Sequence, residues 1–103
     1  MVSVHLKVLD EGLSADTDSL VTFMSSQLIK DNIQIKKGAD LTLKIKFTVD
    51  NDQEKVLVQL RESGTKVKLG EKVIHYFPES YIEDITNEGH ALVASLAHSS
   101  AEA

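Results

Sequence analysis

The sequence predicts an α+β fold, a two-layer sandwich of order β-α-β-β-β-α. Four segments alternate apolar and polar residues with a period of two, as strands with one buried face do. Two segments repeat apolar residues at three and four positions, as amphipathic helices do. Every long strand is apolar on one side only. Both helices are therefore expected on one face of a mostly antiparallel four-stranded sheet.

The first strand is Val2 to Val8, with Val2, Val4, Leu6 and Val8 on one side and Ser3, His5 and Lys7 on the other. Asp10-Glu11-Gly12 ends it. Asp16, Thr17 and Asp18 then offer oxygens to the free N–H groups of a starting helix, and their charge suits its N-terminal dipole. That helix runs to about Lys30, with Leu20, Val21, Met24 and Leu28 as its buried stripe. Residues 32–37 form an irregular connection with room for a brief strand.

The clearest strand follows, with Leu41, Leu43, Ile45, Phe47 and Val49 inward and Thr42, Lys44, Lys46 and Thr48 outward. The polar stretch DNDQ at 50–53 is a hairpin turn. Val56, Val58 and Leu60 face the core beyond it, leaving Gln59 and Arg61 outside. A further strand begins at Val67 and Leu69, with Lys66 and Lys68 outward. Gly70 is placed to bend or bulge it before Val73 to Tyr76. Pro78 suits the first turn of the last helix, whose apolar face holds Ile82, Ile85, Gly89, Leu92, Val93 and Leu96. Gly89 there predicts close approach to the sheet. Residues 1–98 form one domain, and 99–103 are expected to be a frayed tail.

Composition narrows the function. A chain of 103 residues has room for one domain. It has no cysteine, which excludes thiolate metal sites and disulfides and fits a reducing compartment. No stretch approaches the ~20 apolar residues of a membrane span, and the start lacks the pattern of a signal peptide. A cytoplasmic protein is the expectation.

No catalytic constellation is visible. Neither HxxxH nor CxxC occurs, and the four histidines, His5, His75, His90 and His98, lack zinc spacing. His90 and His98 lie eight apart on the last helix and read as structural or exposed side chains. Asp50, Asp52 and Glu54 alternate like the start of a calcium loop, but its central glycine and later glutamate are missing. GxSxG, the P-loop and GxGxxG are absent. The chain is expected to be a non-enzyme without metal or cofactor.

Charge is the informative feature. The net charge is −5, yet ten of the eleven basic residues lie between positions 30 and 72. The period of two gathers Lys7, Lys44, Lys46, Arg61, Lys66 and Lys68 on the uncovered sheet face, with no acid among them. The last helix carries acids and no Lys or Arg. A basic face of this kind suits an anionic partner. It lacks aromatic platforms for stacking bases.

The element order resembles the ribosome hibernation-promoting factors and ribosome-associated inhibitors. The segment GLSADTDSLVTFMSSQL is similar to that family's strand-to-helix passage. ADLTLKIKFTVDNDQEKVLVQLRESGTKVKLGE resembles its strand-hairpin-strand run, and PESYIEDITNEGHALVASL sits where it has its last helix. Here that helix has no Lys or Arg and the first has only Lys30, so the family's basic helical residues have no counterpart. The resemblance implies a ribosome- or RNA-associated binding module, with Lys44, Lys46, Arg61, Lys66 and Lys68 as contacts. The alternative is a protein-interaction or self-associating module without nucleic acid.

Overall fold

The computed structural model describes residues 2–102, with side chains described through Leu96. Its elements are β1 (Ser3–Asp10), α1 (Thr17–Lys30), β2 (Gln34–Ile35), β3 (Leu41–Asp50), β4 (Gln53–Glu62), β5 (Lys68–His75) and α2 (Tyr81–Glu102). The α+β class and both helices agree with the sequence pattern. The sheet differs: it has five strands in the order β2-β1-β3-β4-β5 and is mixed. β1 runs parallel to both neighbours, while β3, β4 and β5 are antiparallel. The reason is α1. A helical crossover returns the chain to the starting end of β1, so the strand that follows runs parallel to it. β2 falls in the 32–37 connection and is only two residues long.

Local chemistry fixes the ends of α1. Asp16 caps the start, its Oδ1 accepting from the Ser19 backbone N–H at 3.0 Å and its Oδ2 from Ser19 Oγ at 2.7 Å. At the other end Asn32 takes φ 63°. Its N–H donates to Ile29 O at 3.0 Å, and the Ile33 N–H donates to Leu28 O at 3.1 Å. This is a Schellman stop, with buried Ile33 and Leu28 supplying its apolar contact. Asn51 and Asp52 both take positive φ in the two-residue turn between β3 and β4. That backbone matches the twist of a tight hairpin.

The core lies between one sheet face and the helices. Leu43, Ile45 and Phe47 of β3 and Val56 and Val58 of β4 are fully buried, with Leu20, Met24 and Leu28 of α1 and Ile85 and Val93 of α2. Phe47 meets Tyr76 and Tyr81 edge-to-face, at ring distances of 5.9 and 6.0 Å. Gly89 lets α2 close on the sheet as expected: a Cβ there would stand 3.0 Å from Leu43 Cδ2 and 3.3 Å from Met24 Cε.

Several expectations need correction. Val21 is on the surface rather than in the stripe, and Val49, Val67 and Leu69 are exposed. Val49 lies beyond the last covered row of β3. Pro78 precedes α2, which starts at Tyr81 after a turn in which Ser80 and Tyr81 both donate to Phe77 O. α2 continues to Glu102, through most of the segment predicted as a tail, and Ala103 lies outside the described residues.

Candidate functional site

The strand registers assign every open-face residue to a row across the sheet. One row reads His5, Thr42, Arg61 and Lys68. The next reads Lys7, Lys44, Gln59 and Glu71, and the third Leu9, Lys46, Leu57 and Val73. Thr48, Lys55 and His75 form the last. The basic face is real, but it is neither acid-free nor uniformly polar.

One bulge changed its composition. Arg61 pairs with Lys68 and Leu60 with Gly70, leaving Leu69 as an extra residue. The extra residue inverts the alternation that follows. Glu71, Val73 and His75 thereby turn to the open face, and Lys72 turns to the helical side opposite Val58. An uninterrupted strand would have placed Lys72 outward and Glu71 inward.

The five predicted contact residues separate into two groups. Lys46 pairs with Glu11 at 3.3 Å and Lys68 with Glu71 at 3.4 Å. Glu71 also accepts from Gln59 Nε2 at 2.8 Å. That hydrogen bond, followed by the one from Lys68, holds its carboxyl below the usual glutamate value. Lys44, Arg61 and Lys66 instead line one depression of about 310 Å³ with His5, Lys7, Thr42, Glu62 and Ser63. Arg61 Nε donates to Gln59 Oε1. Lys66 belongs not to a strand but to the β4–β5 turn, where it takes φ 61° and its N–H donates to Glu62 O at 2.9 Å. Burial lowers the Lys44 pKa from its ordinary value, and the Arg61, Lys46 and Lys7 charges lower it further.

A second surface was missed by the sequence reading. β5 is an edge strand on which Val73 is 55% exposed, and Val67 and Phe77, which flank it, are 52% and 55% exposed. A shallow groove between this edge and α2 is lined by Val73, Ile74, His75, Phe77, Asp84, Asn87 and Glu88. The alternation of β5 pointed to it, but only the bulge decides which residues it exposes. At the other edge β2 is too short to offer a comparable ladder.

Elsewhere the chemistry is sparse. Among the described residues no group of three or more His, Asp or Glu is placed to hold a metal. His90 Nε2 pairs with Asp31 Oδ2 across the two helices, and the His98 side chain lies outside the described residues. Asp50 and Glu54 end the β3–β4 hairpin around Asp52 in its turn. No described helix is long and apolar enough to cross a membrane.

No family model matches this chain, and no curated protein does. Solved structures do match. One is TolB from Acinetobacter baumannii, with a TM-score of 0.62, 10% identity, and 90% of this chain covered. The chain spans about a quarter of TolB, 27% of its length. Another is protein XCC0632 of the DUF330 family from Xanthomonas campestris, with a TM-score of 0.64, 12% identity, and coverage of 96% of this chain and 88% of that one. Lipoprotein GNA1162 from Neisseria meningitidis covers both chains fully at 12% identity, but its TM-score of 0.49 supports no argument. These identities establish likeness of fold alone. They also correct the earlier resemblance, because the likeness runs to TolB and the DUF330 protein rather than to hibernation factors. The ribosome- and RNA-associated function falls with it, and the cytoplasmic placement is withdrawn too. The physical reason is that element order and amphipathic pattern are shared by many unrelated families, and the basic helices that would have separated them are missing here. The chain thus has the α+β fold found in a segment of TolB and in a DUF330 protein.

Proposed function

We propose that this domain is a non-enzymatic protein-binding module of the cell envelope, and that it receives an extended segment of its partner along β5. The carrying observation is the edge strand with Val73 on it and Phe77 just beyond it, both more than half exposed and lining one groove. An edge strand presents unpaired N–H and C=O groups, and a partner strand that adds to it gains main-chain bonds. Side chains at alternate positions then supply selectivity. The likeness to periplasmic TolB supports the envelope location.

The bulge puts Lys68 on the open face with Glu71 and turns Lys72 to the helical side, while Asp84 and Glu88 line the groove. A partner segment with apolar residues at alternate positions and no acid toward the groove fits these charges.

Selecting random ten-residue peptides on the immobilised domain tests this reading. Enriched peptides are expected to carry apolar residues at alternate positions and to slow amide hydrogen exchange in β5. Val73→Lys is expected to weaken them about tenfold or more while leaving thermal unfolding unchanged. Peptides that protect another surface, or that bind Val73→Lys equally well, refute β5 as the site.

A further inference from the structure

The open face pairs two of its cations and crowds four others together. Lys46 and Lys68 each meet a carboxylate. Lys7, Lys44, Arg61 and Lys66 line one depression with His5, and none of the four is within salt-bridge distance of an acid among the described residues. Lys7 and Lys44 stand directly opposite each other across the β1–β3 pair, an arrangement that costs stability. Lysines serving only as a solvated face have no reason to converge, and the same face shows how an acid removes the repulsion. Glu62, the one acid at the depression, accepts from Thr65 Oγ1 at 2.7 Å.

Neutral donors complete the cluster. Thr42 Oγ1 and Ser63 Oγ lie 2.8 Å apart in the same depression. Ser63 is fixed by its N–H, which donates to Asp40 O at 2.8 Å. Arg61 is held through Nε, so its two Nη groups remain to donate. Fixed guanidinium donors, ammonium groups and hydroxyls together suit a compact oxyanion with several acceptor oxygens.

We propose that this depression binds a phosphoryl anion, the group shared by phosphorylated small molecules and the headgroups of anionic lipids. A space of about 310 Å³ fits a headgroup. The Leu9, Leu57 and Val73 row, two rows from Arg61 on the same face, offers an apolar neighbour to a lipid. This site does not depend on the role of β5, and either can fail alone.

The probe is inorganic pyrophosphate, titrated into the whole domain at low salt and followed by amide chemical shifts. Lys44, Ser63 and Lys66 are expected to shift saturably in the millimolar range or below. The double variant Lys44→Glu/Arg61→Glu is expected to lose about tenfold or more of that affinity, while Lys46→Glu retains most of it. Should the double variant unfold, Lys44→Gln and Arg61→Gln, made singly, provide the same comparison. Vesicles of phosphatidylcholine with and without phosphatidylglycerol then identify the source. Co-sedimentation with the acidic vesicles alone, lost in the variant, assigns a lipid headgroup. Saturation by pyrophosphate without vesicle binding assigns a free phosphate compound. The absence of saturable shifts, or affinity unchanged in the variants, overturns the site.

Discussion

The two faces of the sheet come from the same strands and the same alternation, yet different forces shape them. On the covered face the rows are closed by helices. Leu43, Ile45, Phe47, Val56 and Val58 exclude water completely, and burial at roughly 25 cal/mol per Å² stabilises them together. On the open face no layer covers the sheet, and charge pairing settles where its cations lie. Lys46 and Lys68 find acids, while Lys7, Lys44, Arg61 and Lys66 do not. The covered face is organised for stability, and part of the open face tolerates a cost. The phosphoryl site proposed above would give that cost a use, because an anion bound there removes the repulsion.

Substitutions on the two faces should act very differently. Phe47→Ala removes a fully buried ring between Tyr76 and Tyr81, and a loss of about 3–5 kcal/mol is expected in urea unfolding. A loss under about 1 kcal/mol would mean that the covered face is not the core. Lys66→Gly should act in the opposite direction. Relief of its left-handed backbone, worth about 1–2 kcal/mol, exceeds the roughly 0.5–1 kcal/mol entropy cost of glycine. A net gain of about 0.5–1 kcal/mol is expected, read as a higher Tm, together with weaker pyrophosphate binding.

Lys44→Met has the smallest expected effect, a gain of up to about 0.5 kcal/mol at neutral pH. Its sign follows from the pKa. The folded Lys44 value is lowered from 10.5 by burial, then by Arg61, Lys46 and Lys7. Just below pH 10.5 the unfolded chain therefore holds more protons at this site, and stability rises with pH through that window. The variant should lose this alkaline rise. An equal slope in both proteins would show that the cations do not crowd Lys44.

Much of the fold was legible because its signals are local. Leu20, Met24 and Leu28 declared one helix, Ile85, Gly89 and Val93 the other, and Asn51-Asp52 the hairpin. The candidate sites were less legible. Lys44 and Arg61 could be placed on the open face from alternation alone. Their company could not, because Lys7 and Ser63 join them only through the β1–β3 register and the β4–β5 turn. The exposed edge was hidden for a related reason, since Val67 and Leu69 read as strand residues until Val67 proved to lie in the turn and the strand of Leu69 to lie outermost.

The number and type of the long elements, most of the buried stripe of each, and the gathering of basic residues in the middle of the chain are all written in the sequence. Periodicity is written residue by residue and needs no partner to be read. The parallel placement of β1 between its neighbours, the pairing of a fifth short strand, and the choice of which cations meet acids are not written there. Those outcomes depend on pairing between distant segments. One extra residue at Leu69 moved Glu71 and Val73 across the sheet, because a period of two has no tolerance for an odd shift.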